Sequence, residues 1–552
     1  MAGEARQVIV ARDIGPDAVF VNAAGMITMQ GAPTFETGLT ALAVRDGNIV
    51  AVGSDQAILS MAGKVPVVDL ERAVAMPGLI DSHNHFLSTA LGWDRVQLNE
   101  ARSIGQLLET IGQRAREAPS GEWILCSSRW HETNLSEQRM PTAADLDRVA
   151  PNNPVYLPRG GHVVVTNTLG LQRAGIAHDS QDPPGGEFVR DGAGRLTGML
   201  LERPAFSRLT RLLPQPSEED RRSAIRAGIR AYNRAGITGV REPGLTSAEI
   251  QSYRAVIPQE KAIRTSLMWR VDLGMSPEER RRWVQGLAHQ SEGGGQWLDV
   301  WGLKVTLDGG VEGGYFYAPY ANNPDFRGFP FTSQENLAAI IEEAHHLDWR
   351  VGIHVVGDAA LEMALDAFQA VNARSSTVGR GHALEHAFTP VQRSMERTLA
   401  MGIGVTLQHA LVYSLAGNMQ TYWGTRRAAD CTPSRAWLDS GALVGAGTDS
   451  PVADFDPWLN VYGFATRDTE VGGIIGPEHR ISVAEALRAY TVGSAEILGM
   501  GRTLGSLEVG KAADFICLDR DPLSAPLEQV RRMGVLRTFV GGRQVYPLPG
   551  DD

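Results

Sequence analysis

Pro77-Gly78-Leu79-Ile80-Asp81-Ser82-His83-Asn84-His85 is the stretch on which the reading of this chain turns. An apolar run ends in two histidines two positions apart. In a β-strand, residues i and i+2 point to the same face. Both imidazoles can then reach one metal ion from the end of one strand. The stretch predicts a metal centre at a strand end, with further ligands expected at strand ends downstream.

Downstream, from residue 77 to residue 499, short apolar strands alternate with helical stretches, the pattern of a β/α barrel. Eight candidate strands occupy residues 78–85, 237–242, 264–271, 300–307, 351–356, 383–386, 404–408 and 442–447. Eight is the number that closes a (β/α)8 TIM barrel. The two chain ends are β-rich in a different way. Asp17-Ala18-Val19-Phe20-Val21, Asn48-Ile49-Val50-Ala51-Val52 and Asp514-Phe515-Ile516-Cys517-Leu518 read as short strands between turns. Neither end has strands enough alone, so residues 8–76 and 500–547 are expected to pair into one small β-sandwich domain. About 150 residues separate the first barrel strand from the second, far more than one crossover needs. Residues 93–225 are therefore expected to form a large insertion over the barrel mouth. The alternative is a surface decoration.

Barrel enzymes carry their chemistry at the C-terminal strand ends. There this chain places His83 and His85, Lys304 followed by Asp308-Gly309-Gly310, His354, Glu385-His386, and Thr448-Asp449. Each has a plain structural alternative. A lone histidine can be a hydrogen-bonded core residue, Lys304 can extend its stem along apolar surface, and Asp449 can cap a helix. The set of four histidines, a lysine and an aspartate in barrel order points instead to a metal site. Neutral imidazoles and carboxylates bind zinc, and catalytic sites keep a position open for water. An ammonium group cannot ligate. A lysine neutralised by burial and nearby cations can add carbon dioxide, and the resulting carbamate can bridge two ions.

Residues 77–85 with Lys304, His354, His386 and Asp449 resemble the amidohydrolase superfamily. Gly505-Ser506-Leu507-Glu508-Val509-Gly510-Lys511-Ala512-Ala513-Asp514-Phe515 is similar to that superfamily's closing signature. The long insertion, with Met140-Pro141-Thr142, Gly161-His162, Thr166-Asn167 and Gly186-Glu187-Phe188-Val189, resembles the branch containing N-substituted formamide deformylases. The resemblance implies that His83 and His85 hold the more buried ion, that Lys304 is a carbamylated bridge, and that His354 and His386 hold the second ion. It implies that Asp449 contacts the metal-bound water and moves its proton. His162 would reach the substrate carbonyl or an oxyanion. The cofactor implied is one or two Zn2+ ions, with a carbon dioxide-derived carbamate on Lys304 if there are two.

The mechanism to expect is attack of a metal-bound hydroxide on a carbonyl, with Asp449 as general base and then general acid toward the leaving nitrogen. Oriented ligand histidines call for outer partners, and Glu385 and Asp358 are candidates by position. Trp93, Trp130, Trp269, Tyr315, Phe316, Tyr317 and Phe388 are candidates for an apolar pocket at the mouth. His409, after the seventh strand, can contact substrate or cap the strand, and Arg129 and Arg159 are candidate carboxylate binders.

The chain has 552 residues with 52 basic and 63 acidic side chains, a net charge of −11. That balance argues against a nucleic-acid surface. Cys126, Cys431 and Cys517 form no C-x-x-C pair, which suits a reducing cytoplasm. Charged residues in the first twenty positions and the lack of a long apolar run predict no signal peptide and no membrane span. The partner to expect is a small molecule, an aromatic or bulky N-substituted amide among the choices, with a homodimer as one admissible oligomeric state. The leading function is hydrolysis of a C–N bond in an amide or an N-formyl or N-acyl amine. Ester, carbamate or lactam hydrolysis on the same site, and a non-catalytic scaffold, are the alternatives.

Overall fold

The computed structural model describes residues 9–10, 15–288 and 295–548. Its centre is a parallel eight-stranded sheet in sequential order: β1 (Leu79–Asp81), β2 (Ile237–Leu245), β3 (Arg264–Arg270), β4 (Leu298–Thr306), β5 (Arg350–Val355), β6 (Ala383–His386), β7 (Gly404–Leu407) and β8 (Val444–Ala446). Strands so rich in Val, Ile and Leu suit a sheet buried on both faces, and most of their residues are fully buried. No ladder joins β8 to β1. The ring is drawn shut just beyond β1, where the Ser82 amide and hydroxyl both donate to the Ala446 carbonyl at 3.0 and 2.8 Å. The fold is the expected TIM barrel.

One local expectation is corrected. β1 ends at Asp81, so His83 and His85 lie beyond the strand, and the same-face rule is not what aligns them. Past Asp81 the backbone amides bond to several different neighbours. Asn84 N donates to Arg241 O at 3.3 Å and His85 N to Ser450 O at 2.8 Å. His85 precedes helix α1 (Phe86–Gly92) as its cap. Gly447 lets this segment pass close to β8, because a Cβ there would sit 2.7 Å from His83 N.

Both chain ends build the sandwich. One sheet runs Ile9–Val10, Asn48–Gly53, Ala41–Arg45, Ala18–Val21, Val67–Asp69. The other runs Arg543–Tyr546, Val535–Val540, Phe515–Leu518, Val74–Pro77, Gly25–Met26. The ends meet where Val74–Pro77 pairs antiparallel with Phe515–Leu518. Phe20 packs edge-on against Phe515 at 5.2 Å, and Phe515 stacks on Phe539 at 4.5 Å. Each buried Phe contributes about 1.5–3 kcal/mol. Val74–Pro77 leads through Gly78 directly into β1, so the sandwich anchors the first barrel strand.

The insertion between β1 and β2 carries its own five-stranded sheet. Within it, Val155–Arg159 and Val163–Val165 form an antiparallel hairpin with Gly160-Gly161-His162 at the tip. Gly160 has φ +58°, a backbone conformation that favours glycine. The tip lies against the loop after β8: a Cβ on Gly160 would be 3.5 Å from Val452. Ser128 donates to Pro451 O at 3.2 Å, and Arg129 pairs with Asp454 at 2.6 Å. The insertion is thus docked on the C-terminal mouth of the barrel. No helix among the described residues is long and apolar enough to cross a membrane. The three cysteines are free and buried.

Candidate metal centre

Asp449 is the hub of the side chains at the mouth. Its Oδ1 lies 3.4 Å from His83 Nε2 and 3.3 Å from His85 Nε2. Ligand atoms of His83, His386 and Asp449 all fall within 4.8 Å of one another. The His83 and His386 rings are 4.8 Å apart, and the His386 and His354 rings 4.6 Å apart. Burial pushes the Asp449 carboxyl up, but the imidazoles of His83 and His85 hold it well below the usual carboxylate range. His386 and Asp449 have φ of +71° and +57°. Such backbone in a non-glycine residue is sparsely populated and clusters at functional sites.

Each ring is oriented from behind. His83 Nδ1 donates to Glu385 Oε2 at 2.6 Å, and His386 Nδ1 donates to Gln408 Oε1 at 2.7 Å, which leaves each Nε2 as the nitrogen available to an ion. His354 Nε2 donates to Gly309 O at 3.3 Å, which leaves Nδ1. Burial pushes His386 down to about 3 against the pull of Asp449, and it drives His354 far below its usual value with help from His386, Lys304 and His162. Burial also depresses His83, but the Glu385 carboxylate more than offsets this. Asp81 stabilises the segment that carries His83. Its carboxyl accepts from His83 N at 3.2 Å, from Thr448 N at 3.1 Å and from Thr448 Oγ1 at 2.6 Å, while burial lifts it to about 6.

Lys304 Nζ is buried with no hydrogen-bond partner among the described residues. Burial lowers it to about 8, against the attraction of Glu385 and Asp449. A buried amine without a partner, beside four imidazoles and a carboxylate, is a donor set suited to divalent ions.

His162, from the hairpin tip, lies 5.5 Å ring to ring from His354. Its Nδ1 meets Glu202 Oε2 at 2.7 Å. Burial lowers its pKa, but the Glu202 charge outweighs that and lifts it to about 9. Glu202 also accepts from Gly310 N at 3.2 Å. Together with His162, His354, His386 and Asp449, the residues Val311, Val356, Phe388, Leu411, Leu415 and Val452 line a cleft of about 450 Å³, counting its open mouth.

Glu385 reaches His83, but Asp358 does not reach a ligand. Its Oδ1 accepts from Tyr317 N at 2.9 Å. Asp308 stands beside His354 instead, with 3.9 Å from Nε2 to Oδ1, and holds the amides of Val356 and Gly357. Of the seven aromatic residues expected at the mouth, Phe388 lines the cleft, stacked on His386 at 5.7 Å. Trp130, Trp269 and Phe316 are buried in the packing, and Tyr317 is 62% exposed. His409 neither caps a strand nor reaches the cleft. It begins helix α2 (His409–Trp423), buried, with neither ring nitrogen bonded among the described residues. Arg129 and Arg159 are not free to bind a carboxylate, since both are paired with acidic side chains. Arg241, Gln408, Glu202 and Glu312 escaped the sequence reading. A charged pair, Arg241-Glu242, inside the apolar run of β2 was the one signal that could have revealed part of this group.

The sequence pattern of the amidohydrolase family spans residues 66–546 of the chain. An N-substituted formamide deformylase from Arthrobacter pascens is 29% identical over 526 residues, covering 92% of this chain and 95% of that protein. An uncharacterized metal-dependent hydrolase from Pyrococcus horikoshii OT3 superposes with a TM-score of 0.72 at 23% identity, over 93% of this chain and 99% of that one. An atrazine chlorohydrolase from Arthrobacter aurescens TC1, solved with zinc, gives a TM-score of 0.55 at 19% identity, over 96% and 95%. The two structures share the fold, and the family pattern covers the barrel from before β1 to the last sandwich strand. This chain belongs to the amidohydrolase family.

Proposed function

We propose that this protein is a metal-dependent hydrolase that cleaves the C–N bond of an N-formyl or N-acyl amine bearing a bulky apolar substituent on nitrogen. The observation that carries this reading is the convergence of His83, His85, His386 and Asp449 beside the unpartnered amine of Lys304. His83 and His85 would hold one ion and His354 and His386 a second, with Asp449 among the ligands. Zinc fits the imidazole and carboxylate donors. Lys304 would join two ions as a carbamate: its neutral amine forms a bond to carbon dioxide and releases one proton to solvent. When bound, such ions acidify water to a pKa near 7 and polarise a carbonyl oxygen.

The chain's own residues supply the rest. Asp449 accepts the proton of the attacking water and delivers it to the leaving nitrogen, which departs as a neutral amine. With Nδ1 of His162 engaged by Glu202, its Nε2–H is left to donate to the substrate oxygen as charge builds there. The apolar side chains of the cleft take the nitrogen substituent and exclude water. The similarity to a formamide deformylase supports this substrate class.

The test is release of benzylamine and formate from N-benzylformamide, with and without a chelator, alongside metal analysis. Turnover should vanish with chelator and return with zinc. Asp449→Asn should lower kcat by about 10²–10⁴ while part of the metal remains. Unchanged turnover in that variant would remove Asp449 from the proton path.

A further inference from the structure

One wall of the cleft carries three buried charges that the chemistry above leaves unused. Arg159 Nη2 donates to Glu132 Oε1 at 3.1 Å, and its Nε stands 3.0 Å from Oε2 in ion-pair contact. Its Nη1 holds Glu312 Oε1 at 2.6 Å. Glu132 is further engaged by Asn418 Nδ2 at 2.7 Å and Tyr422 OH at 3.4 Å. Among the described residues, Glu312 receives its hydrogen bond from Arg159 alone. Arg159 and Glu312 both line the cleft, whereas Glu132 sits behind them. Burial pushes the Glu312 carboxyl up while Arg159 pulls it down; with Glu312 ionised, one cation against two carboxylates leaves this triad one negative charge in excess, and the cleft's other charged pair, His162 with Glu202, balances itself. Arg159 cannot turn to a substrate anion without stranding two buried carboxylates, a costly exchange.

Resting on the hydrolase reading above, we infer that Glu312 sets the charge selectivity of the cleft. It admits N-substituted amides whose substituent is neutral or cationic and rejects those whose substituent carries a carboxylate. An anion entering beside Val311 and Phe388 finds no free guanidinium and meets Glu312 at low dielectric, where like-charge repulsion is poorly screened.

The test uses a matched pair that differs only by a carboxylate, N-benzylformamide and N-formylphenylglycine, on the metal-loaded protein. Affinity is read by calorimetry and turnover as kcat/KM. The wild type should favour the neutral compound at least 10-fold by each measure. Glu312→Gln should narrow the ratio to within about 3-fold through better binding of the anion, with metal content unchanged. Glu312→Asp, which keeps the charge, should keep the preference. The inference is overturned if the wild type binds the anion as tightly as the neutral compound, or if Glu312→Gln discriminates as before. Neutral-over-anion binding without hydrolysis of either compound would instead sink the hydrolase reading and leave Glu312 its role.

Discussion

His83 and His386 are tied together by one hydrogen-bonded chain whose direction is fixed by its end. Glu385 is acceptor-only when ionised. It takes Nδ1–H of His83 at 2.6 Å and the Thr406 hydroxyl at 2.6 Å, while Arg241 Nη2 sits 2.7 Å from both its oxygens. Thr406, having given its proton, accepts from Gln408 Nε2 at 2.9 Å, and Gln408 Oε1 takes Nδ1–H of His386. Both Nδ1 atoms are thereby committed to the chain, and each Nε2 is the nitrogen turned to the cleft. Cutting the chain in its middle should loosen one ring without unbalancing a buried charge. Thr406→Val is expected to weaken metal affinity about 10-fold, at the low end for outer-shell partners, with a small change in stability. Glu385→Gln leaves Arg241 buried without its countercharge and should cost about 3–5 kcal/mol of stability. Chelator competition and urea denaturation separate the two outcomes. Equal metal affinity in wild type and Thr406→Val would dissolve the proposed link.

At the scale of elements, the insertion hairpin and the loop after β4 fit one another through missing side chains. A Cβ on Gly310 would stand 2.6 Å from Cγ and Cδ2 of His162, and one on Gly309 or Gly313 would stand 2.3 Å from Glu202 Oε1. Gly310→Ala should therefore push the His162 ring aside and lower kcat at least 10-fold in an assay of N-benzylformamide, while thermal melting moves by only a few degrees, since the clash falls on one partly exposed ring. Full activity in Gly310→Ala would show that the placement of His162 does not matter. This junction also marks where the sequence stopped being readable. Strand positions were legible because apolar alternation with helices is local, and β6 begins and ends at the residues expected. The histidines were legible because strand ends of a barrel share one mouth. Glu202 was not, because it meets Gly310 across 108 positions through the docking of a separate sheet. Arg159 looked like a free cation because the carboxylates that occupy it, Glu132 and Glu312, come from distant segments. The brevity of β1 depends on the hydrogen bonds of Ser82, Asn84 and His85 to three different neighbours, and no local pattern encodes that.

Across the whole molecule, two buried populations act on the pH dependence of stability in opposite directions. Burial pushes His131 and His382 down to about 3 and His409 far below its usual value, so the folded chain keeps them neutral where the unfolded chain, near 6.5, binds protons. The unfolded state then holds more protons, and these residues subtract stability as pH falls below 6.5. Burial lifts Glu242 to about 8 and Asp308 to about 7, so the folded chain holds protons that the unfolded chain releases near 4, and these residues subtract stability as pH rises. The sum has no simple slope, but paired variants isolate each side, because the metal-binding histidines are common to both members and cancel. His409→Leu removes a ring that makes no hydrogen bond among the described residues. Its stability relative to wild type should rise by about 1.4 kcal/mol per pH unit below 6.5. Glu242→Gln keeps an oxygen to accept from Leu87 N, as Glu242 does at 3.1 Å. Its relative stability should rise by a similar slope from about pH 4.5 up to 8. Urea denaturation of each pair at pH 5, 6, 7 and 8 reads both differences. Because the two gaps must open in opposite directions along the same pH axis, a flat or same-signed pair of slopes would mean that these groups reach water in the folded protein.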